Sequence, residues 1–137
     1  MADVRCLPYR TGVALHTGLT ARVDLTVTEA DTALALRSGD VPVLSTPRLV
    51  ALCEEATCRA LDGHLPVGTT SVAKRVQFDH LVPVGIGGKV TAEATLDRIE
   101  GRRLTFTVAV TDGSGLVGAG KVSRVTVDRS TFLTHAR

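Results

Sequence analysis

The sequence is poor in aromatic residues, in clustered charge and in long apolar runs. Aromatic residues make up 3% of it, and tryptophan is absent. The 16 Lys and Arg against 14 Asp and Glu leave a net charge of +2, and no dense basic block with interleaved aromatics occurs, which argues against a nucleic-acid-binding protein. No apolar run approaches the length that crosses a bilayer, and no signal-peptide pattern opens the chain, so we expect a cytoplasmic protein without membrane partners.

Cysteines and histidines are few and scattered. The three cysteines are Cys6, Cys53 and Cys58. They form an odd set without the spacing of a metal site, which is typical of a protein in a reducing compartment. Three of the four histidines, His16, His64 and His135, lie in separate parts of the chain, so we predict no metal.

The length of 137 residues and the hydrophobic content of 44% fit one compact domain with an adequate core. Pro8, Gly12 and Gly18 interrupt any pattern in residues 1–18, which we interpret as a poorly constrained leader. We assign residues 19–132 to a single domain and residues 133–137 to a C-terminal tail.

One stretch predicts a long helix with both ends marked. Thr46 followed by Pro47 suits a helix start, since the threonine can accept a hydrogen bond from a free backbone N–H and proline lacks a donor that would be unused there. Gly63 suits the left-handed position past the helix end. The apolar residues between them recur every three to four positions and must be buried. They are Leu49, Val50, Leu52, Cys53, Ala56, Ala60 and Leu61.

The rest of the chain shows the alternation of strands. Residues 19–28 alternate strictly between apolar and polar, and residues 33–36 suggest a brief helical turn. Four further strands are predicted before a polar tail, at residues 68–78, 89–98, 104–111 and 116–127. The short turns between the last strands make them antiparallel. The predicted fold class is α+β, with one long helix covering the apolar face of an antiparallel sheet of about five strands.

Three side chains are candidates for chemistry, and each has a structural alternative. Glu54 lies at the margin of the apolar stripe, where a carboxylate is either a partly desolvated base or nucleophile or a cover for apolar surface. His80 lies where a strand runs into a glycine-rich turn, either as a catalytic residue or as a surface histidine. Thr46 is explained by capping alone. Eight helical residues separate Thr46 from Glu54 by about 12 Å, so the two cannot act on one atom from the same chain unless the helix start is distorted, and two-fold pairing of subunits would remove that obstacle.

Four segments together resemble the fluoroacetyl-CoA thioesterase group of hot-dog-fold enzymes. The segments lie at residues 44–59, 80–87, 99–104 and 118–124, and the similarity covers residues 19–132. The resemblance implies the hot-dog fold, hydrolysis of an acyl-CoA thioester and catalytic roles for Thr46, Glu54 and His80. It also implies a homodimer with the active site at the interface, where Thr46 of one subunit faces Glu54 and His80 of the other. No cofactor is expected beyond the coenzyme A moiety of the substrate.

The implied reaction assigns a role to each residue. Glu54 attacks the thioester carbonyl or activates water, His80 assists proton transfer to the departing thiolate, and Thr46 orients the acyl carbonyl or the water. Backbone N–H groups at the helix start would stabilise the oxyanion. The exposed basic groups expected to meet the coenzyme A phosphates are Arg102, Arg103 and Arg124.

Two features depart from the pattern of that group. No aromatic residue occurs from Glu29 to Ser45, where the group has phenylalanines that gate its pocket, and Val84-Gly85 replaces a Thr-Pro. Two alternatives remain open, a noncatalytic acyl-thioester binding protein and a hot-dog hydratase or dehydratase. Hydratases and dehydratases of this fold follow a pattern with an Asp-His pair in the loop before the helix. No histidine occurs between Thr17 and Gly63 here, which argues against that alternative. The acyl group and the thiol carrier, coenzyme A or a carrier protein, are also left open.

Overall fold

The computed structural model describes residues 14–137. The first thirteen residues of the predicted leader, with Cys6 among them, lie outside the described part. The rest of the leader enters the first strand through a turn at Thr17 and Gly18, and the N–H of Gly18 donates to the carbonyl of Leu96 at 2.8 Å.

Five strands and three helices follow one another along the described residues. In chain order they are β1 (Thr20–Thr26), a 3-10 turn (Glu29–Asp31), α1 (Ala33–Leu36), α2 (Thr46–Leu61), β2 (Thr69–His80), β3 (Lys89–Glu100), β4 (Arg103–Asp112), β5 (Gly115–Asp128) and α3 (Arg129–Thr134). The long helix, the five strands and the brief helical turn are therefore confirmed. The C-terminal segment, which we predicted to be a polar tail, instead forms α3, because the carboxylate of Asp128 accepts the N–H of Thr131 at 2.9 Å and caps it.

The five strands form one antiparallel sheet in the order β1-β3-β4-β5-β2. The strict alternation predicted for residues 19–28 is confirmed, since Val23 and Val27 are buried while their neighbours face outward. The turn between β3 and β4 places Gly101 at a φ of 62°, a conformation that favours glycine. β1 and the longer β2 are the two edges of the sheet, so one side of β2 has no strand beside it among the described residues.

Helix α2 packs against one face of the sheet and supplies the centre of the core. Leu49, Leu52, Cys53 and Ala56 are each at most 1% exposed and pack with Phe106 and the inward valines of β3, β4 and β5. Val50 is half-buried and lies at the margin of the predicted stripe. Gly63 has a φ of 81° just past the helix end, as predicted. Within residues 14–137 no helix combines the length and apolarity needed to span a membrane.

Two glycines of β5 allow β2 to approach closely. A methyl group at Gly120 would overlap the carbonyl oxygen of Gln77 and lie 2.8 Å from the Cα of Phe78. A methyl group at Gly118 would lie 2.6 Å from the ring of Phe78. Since β2 ends at His80, this tight pairing also fixes where the histidine projects.

We predict that Gly120→Ala destabilises the fold, because the added methyl group must push β2 away from β5. The free energy of unfolding should fall by about 2 kcal/mol, within the range of overpacking substitutions. Gly113→Ala is the matched control, since a methyl group there meets nothing within 4 Å. Urea unfolding of both variants measures the difference, and equal stabilities would contradict this account of the β2–β5 contact.

Candidate active site

The start of α2 is capped by Ser45, which corrects the sequence prediction that Thr46 caps it. The hydroxyl oxygen of Ser45 accepts the N–H of Arg48 at 3.1 Å, and Thr46 and Pro47 are the first two helical residues. Ser45 is 1% exposed, and its own N–H donates to the carbonyl of Asp31 at 2.9 Å. The hydroxyl of Thr46 is therefore available for another partner.

That partner is His80. The Thr46 Oγ1 lies 2.8 Å from Nδ1 of the imidazole, and Nε2 of the same ring lies 3.0 Å from the carbonyl oxygen of Val82. A carbonyl only accepts, so Nε2 carries the hydrogen and Nδ1 of the neutral ring is the acceptor. Thr46 thus donates its hydroxyl hydrogen to an imidazole whose tautomer is fixed by the backbone.

The backbone around His80 explains this orientation. β2 ends at His80, and the next two N–H groups, of Leu81 and Val82, both donate to the carbonyl of Val117 at 2.8 and 3.2 Å. This turn brings the Val82 carbonyl back over the ring. His80 is half-buried and lines a cavity, so it is not the isolated surface histidine of the structural alternative.

A cavity of about 360 Å³ lies beside the Thr46–His80 pair. Besides these two residues it is lined by residues from the segment before α2, from the helix start and from the chain after β2, namely Ala33, Ser38, Gly39, Val41, Val43, Leu44, Ser45, Pro47, Leu81, Val82 and Pro83. The lining is mostly aliphatic. A hydroxyl and an imidazole at the side of an apolar cavity are a suitable arrangement for polar chemistry on a small organic substrate.

Glu54 lies two turns further along α2 and does not reach this pair. It is half-buried, and its carboxylate has no hydrogen bond or ion pair with any described residue. Its neighbour Glu55, by contrast, pairs with Arg59 at 2.9 Å. The regular rise of α2 puts Glu54 about 12 Å from Thr46 along the axis.

The predicted division of the site between subunits needs a correction. We expected Thr46 of one subunit to face His80 of the other, but a single chain brings Thr46 and His80 into hydrogen-bond contact. The physical reason is that β2 returns along the helix and ends at its start. Only Glu54 remains apart from the pair within one chain.

The loop before α2 is held by an ion pair that we did not predict from the sequence. Asp31 is 8% exposed and accepts from Thr28, through both its N–H at 2.8 Å and its hydroxyl at 2.9 Å. Its other oxygen accepts Nε of Arg48 at 2.9 Å. The Thr-x-x-Asp spacing from Thr28 to Asp31 is a capping-box pattern and was a usable signal.

The three arginine candidates differ in their surroundings. Arg102 and Arg103 are exposed and border a surface cavity of about 410 Å³ with Glu100 and Val125. Arg124 is 5% exposed, so its predicted position among exposed groups is wrong. Its guanidinium donates to the Ser71 hydroxyl at 2.9 Å, to the Ser71 carbonyl at 3.0 Å and to the Thr57 hydroxyl at 3.3 Å. Through these hydrogen bonds Arg124 connects α2 to β2 in the interior.

In the described part of the chain no three His, Cys, Asp or Glu side chains lie close enough together to hold a metal ion.

Burial, with a smaller effect of the Glu54 charge, raises the pKa of the Cys53 thiol to about 12. The thiol is thus neutral at physiological pH and acts as the small apolar residue that the sequence suggested.

The sequence is similar to one enzyme family over most of its length. The family described as FlK, fluoroacetyl-CoA-specific thioesterase, matches residues 27–130. A fluoroacetyl-CoA thioesterase of Streptantibioticus cattleyicolor is 32% identical over 95 residues, which cover 69% of this chain and 68% of that protein.

Solved structures show the same architecture. The fluoroacetyl-CoA thioesterase FlK superposes with a TM-score of 0.83 at 27% identity, over 88% of this chain and 94% of that chain. A hot-dog-like protein from Thermanaerovibrio acidaminovorans gives 0.80 at 28% identity, over 86% and 87%. A thioesterase superfamily member from Thermus thermophilus gives 0.80 at 25% identity, over 87% and 88%. The predicted hot-dog fold is therefore confirmed.

The Asp31–Arg48 pair predicts how stability depends on pH. Burial raises the pKa of the Asp31 carboxyl, but hydrogen bonds from Thr28 and the Arg48 guanidinium outweigh it and hold the pKa below its ordinary value. Because the folded-state pKa is depressed, the contribution is complete above the unfolded-state pKa of about 4 and is lost as the pH falls through the folded-state value. Asp31→Asn should lower the free energy of unfolding at pH 7, with a difference from wild type that shrinks below about pH 4.

Urea titrations from pH 7 to pH 3 measure this difference. Asp40→Asn is the control, since Asp40 is exposed and has no hydrogen bond or ion pair with a described residue. A loss for Asp31→Asn that stays constant over the whole pH range would show that the carboxylate charge is not responsible.

Proposed function

The chain belongs to the fluoroacetyl-CoA-specific thioesterase family and is a thioester hydrolase acting on a small acyl-CoA, and we propose that Thr46, His80 and Glu54 carry out this hydrolysis. The observation that carries the proposal is the 2.8 Å contact between the Thr46 hydroxyl and Nδ1 of His80 beside an apolar cavity. The cavity would receive the acyl group, and the pair would face the thioester.

The hydrogen bonds of the pair suggest how protons move. The attacking water donates to the oxygen of Thr46, whose hydroxyl hydrogen passes to Nδ1 of His80 as the C–O bond forms. The imidazolium returns that proton to the sulfur as the C–S bond breaks, so free acid and thiol leave with the protons balanced. Glu54 accepts a hydrogen bond from the same water and offsets the positive charge of the imidazolium.

The helix start also supplies an oxyanion donor. Pro47 has no N–H, and the N–H groups of Arg48 and Leu49 are already bonded to the side chain and carbonyl of Ser45. This leaves the N–H of Thr46 for the negative oxygen of the tetrahedral intermediate, with the helix dipole behind it.

A second copy of the chain would bring Glu54 to the pair. Among residues 14–137 no strand pairs with the outer edge of the twelve-residue β2, and an antiparallel strand from a second copy could satisfy its backbone groups. Two-fold pairing along β2 places the Thr69 end of one chain beside the His80 end of the other. A homodimer of this kind makes the active site composite, with Glu54 contributed by the partner subunit.

The same pairing gives a role to two exposed arginines. The turn that carries Arg102 and Arg103 lies at the Thr69 end of β2, because Arg103 pairs with Val125 and Thr69 pairs with Asp128 of the same strand β5. Neither arginine forms an ion pair with a described carboxylate. The neighbouring Glu100 forms its ion pair with Arg98 instead. Both are free to meet the coenzyme A phosphates in a groove between subunits.

We predict that Glu54→Gln lowers kcat for thiol release from acetyl-CoA and butyryl-CoA by a factor of about 100 to 10,000, because the neutral amide accepts the hydrogen bond of the water less strongly and cannot offset the imidazolium charge. Glu55→Gln is the matched control at the next position and should stay within about twofold of wild type, since Glu55 lies on the solvent side. Full turnover by Glu54→Gln would refute its role. Binding of acyl-CoA by wild type without any thiol release would favour a noncatalytic binding protein.

Mixing two inactive variants tests the composite site. Thr46→Ala and Glu54→Gln are each expected to be inactive, but a mixed dimer contains one complete site, with Thr46 from one chain and Glu54 from the other. Subunit exchange at equal amounts should restore about one quarter of wild-type activity. Absence of recovery, with exchange verified by mass spectrometry, would place the whole site in one chain.

A further inference from the structure

The cavity beside Thr46 and His80 has aliphatic walls. Its apolar lining includes Val41, Val43 and Leu44 on the side of the loop before α2, and Leu81, Val82 and Pro83 on the side of the chain after β2. Among the described residues that line it there is no Asp, Glu, Lys or Arg, and the His80 imidazole is the one aromatic ring. Such walls attract methylene groups and offer no charge to a carboxylated or aminated acyl group.

The walls are held by backbone hydrogen bonds and exist without a ligand. The N–H of Ala33 donates to the carbonyl of Val43 at 2.9 Å, and the N–H of Ser38 donates to the carbonyl of Ala33 at 3.0 Å. Val43 also forms an isolated antiparallel bridge with Gly85. The space is therefore a preformed, open pocket whose walls are in place before a ligand binds.

The volume of this pocket exceeds the needs of a two-carbon acyl group. A methylene occupies roughly the volume of a water molecule, about 30 Å³. Two carbons would fill about one sixth of the 360 Å³, whereas six carbons would fill about half and leave room for the thioester and the end of the pantetheine arm.

Small residues form one part of the wall. Gly39 faces Ala33 so closely that a methyl group on Gly39 would lie 3.2 Å from the Ala33 Cβ. At the mouth, Val41 is 48% exposed and Val82 is 41% exposed. A chain of several methylenes would cover both valines, and a single fluoromethyl group is too short to do so.

On the basis of the proposed function, we propose that the acyl group is an unsubstituted aliphatic chain of about four to six carbons, selected by its length and not by fluorine. Each methylene that enters the pocket adds apolar contact, which strengthens transition-state binding about fourfold. Val41 and Gly39 are the residues that set the accepted length.

The test is a series of kcat/KM values for acetyl-, fluoroacetyl-, butyryl- and hexanoyl-CoA. Wild type should gain about fourfold per methylene from acetyl to hexanoyl, and fluoroacetyl-CoA should stay within about tenfold of acetyl-CoA. Val41→Phe fills the mouth and should lower the ratio of hexanoyl to acetyl turnover at least tenfold. Leu116→Phe is the control, since Leu116 is 47% exposed and lies outside the pocket lining, and it should keep the wild-type ratio.

The two proposals fail in different ways. Dissociation constants of non-hydrolysable thioether analogues with the same acyl chains report the pocket without the reaction. Tightening from two to six carbons that is lost in Val41→Phe supports the length preference even if no thiol is released. A preference for the two-carbon or fluorinated analogue, or an unchanged profile in a folded Val41→Phe, overturns it.

Discussion

The burial of one stripe of α2 against the sheet is the constraint on which the rest of the structure depends. A five-stranded antiparallel sheet has an apolar face to cover, and among the described helices only α2 is long enough to cover it. Moving the helix would open cavities in the core that contains Leu52 and Phe106. Each cavity would lower the free energy of unfolding by several times as much as a typical surface substitution does. The positions of Thr46 and Glu54 are therefore fixed relative to the strand that ends at His80.

How much the sequence reveals depends on whether the signal is local. The apolar period of α2 and the alternation of β1 are local and predict these elements, and the family resemblance points to the three candidate residues. Ser45 and Thr46 are adjacent hydroxyl residues with similar capping ability, and the choice between them depends on His80, 34 residues away. Residues two apart along a strand point to the same face, so Arg124 shares a face with the buried Val122. This alternation in β5 could have predicted that Arg124 is buried.

The two hydroxyl residues at the helix start have different partners: Ser45 caps the helix, and Thr46 contacts His80. Ser45 satisfies the N–H of Arg48, while the same arginine reaches Asp31 and holds the preceding loop. Had Thr46 been the cap, its oxygen would have been committed to the backbone, and His80 would have lost its partner. The first turn of α2 thus stabilises the fold through Ser45 and Arg48 and leaves the Thr46 hydroxyl to the candidate site.

The packing of α2 against the sheet also bears on where the proposed specificity can change. In the proposed dimer, the acyl pocket, Thr46 and His80 belong to one chain, whereas Glu54 comes from the other. The pocket residues Gly39, Val41 and Val43 lie in a loop before the helix, outside the packed stripe of α2. Substitutions at Val41 can therefore alter the accepted acyl length without moving α2, because they change neither its cap nor its contacts with the sheet. On this proposal, the absence of aromatic residues from this loop determines which acyl group is accepted, since the contact between Thr46 and His80 depends on α2 and β2 and not on the side chains of the loop.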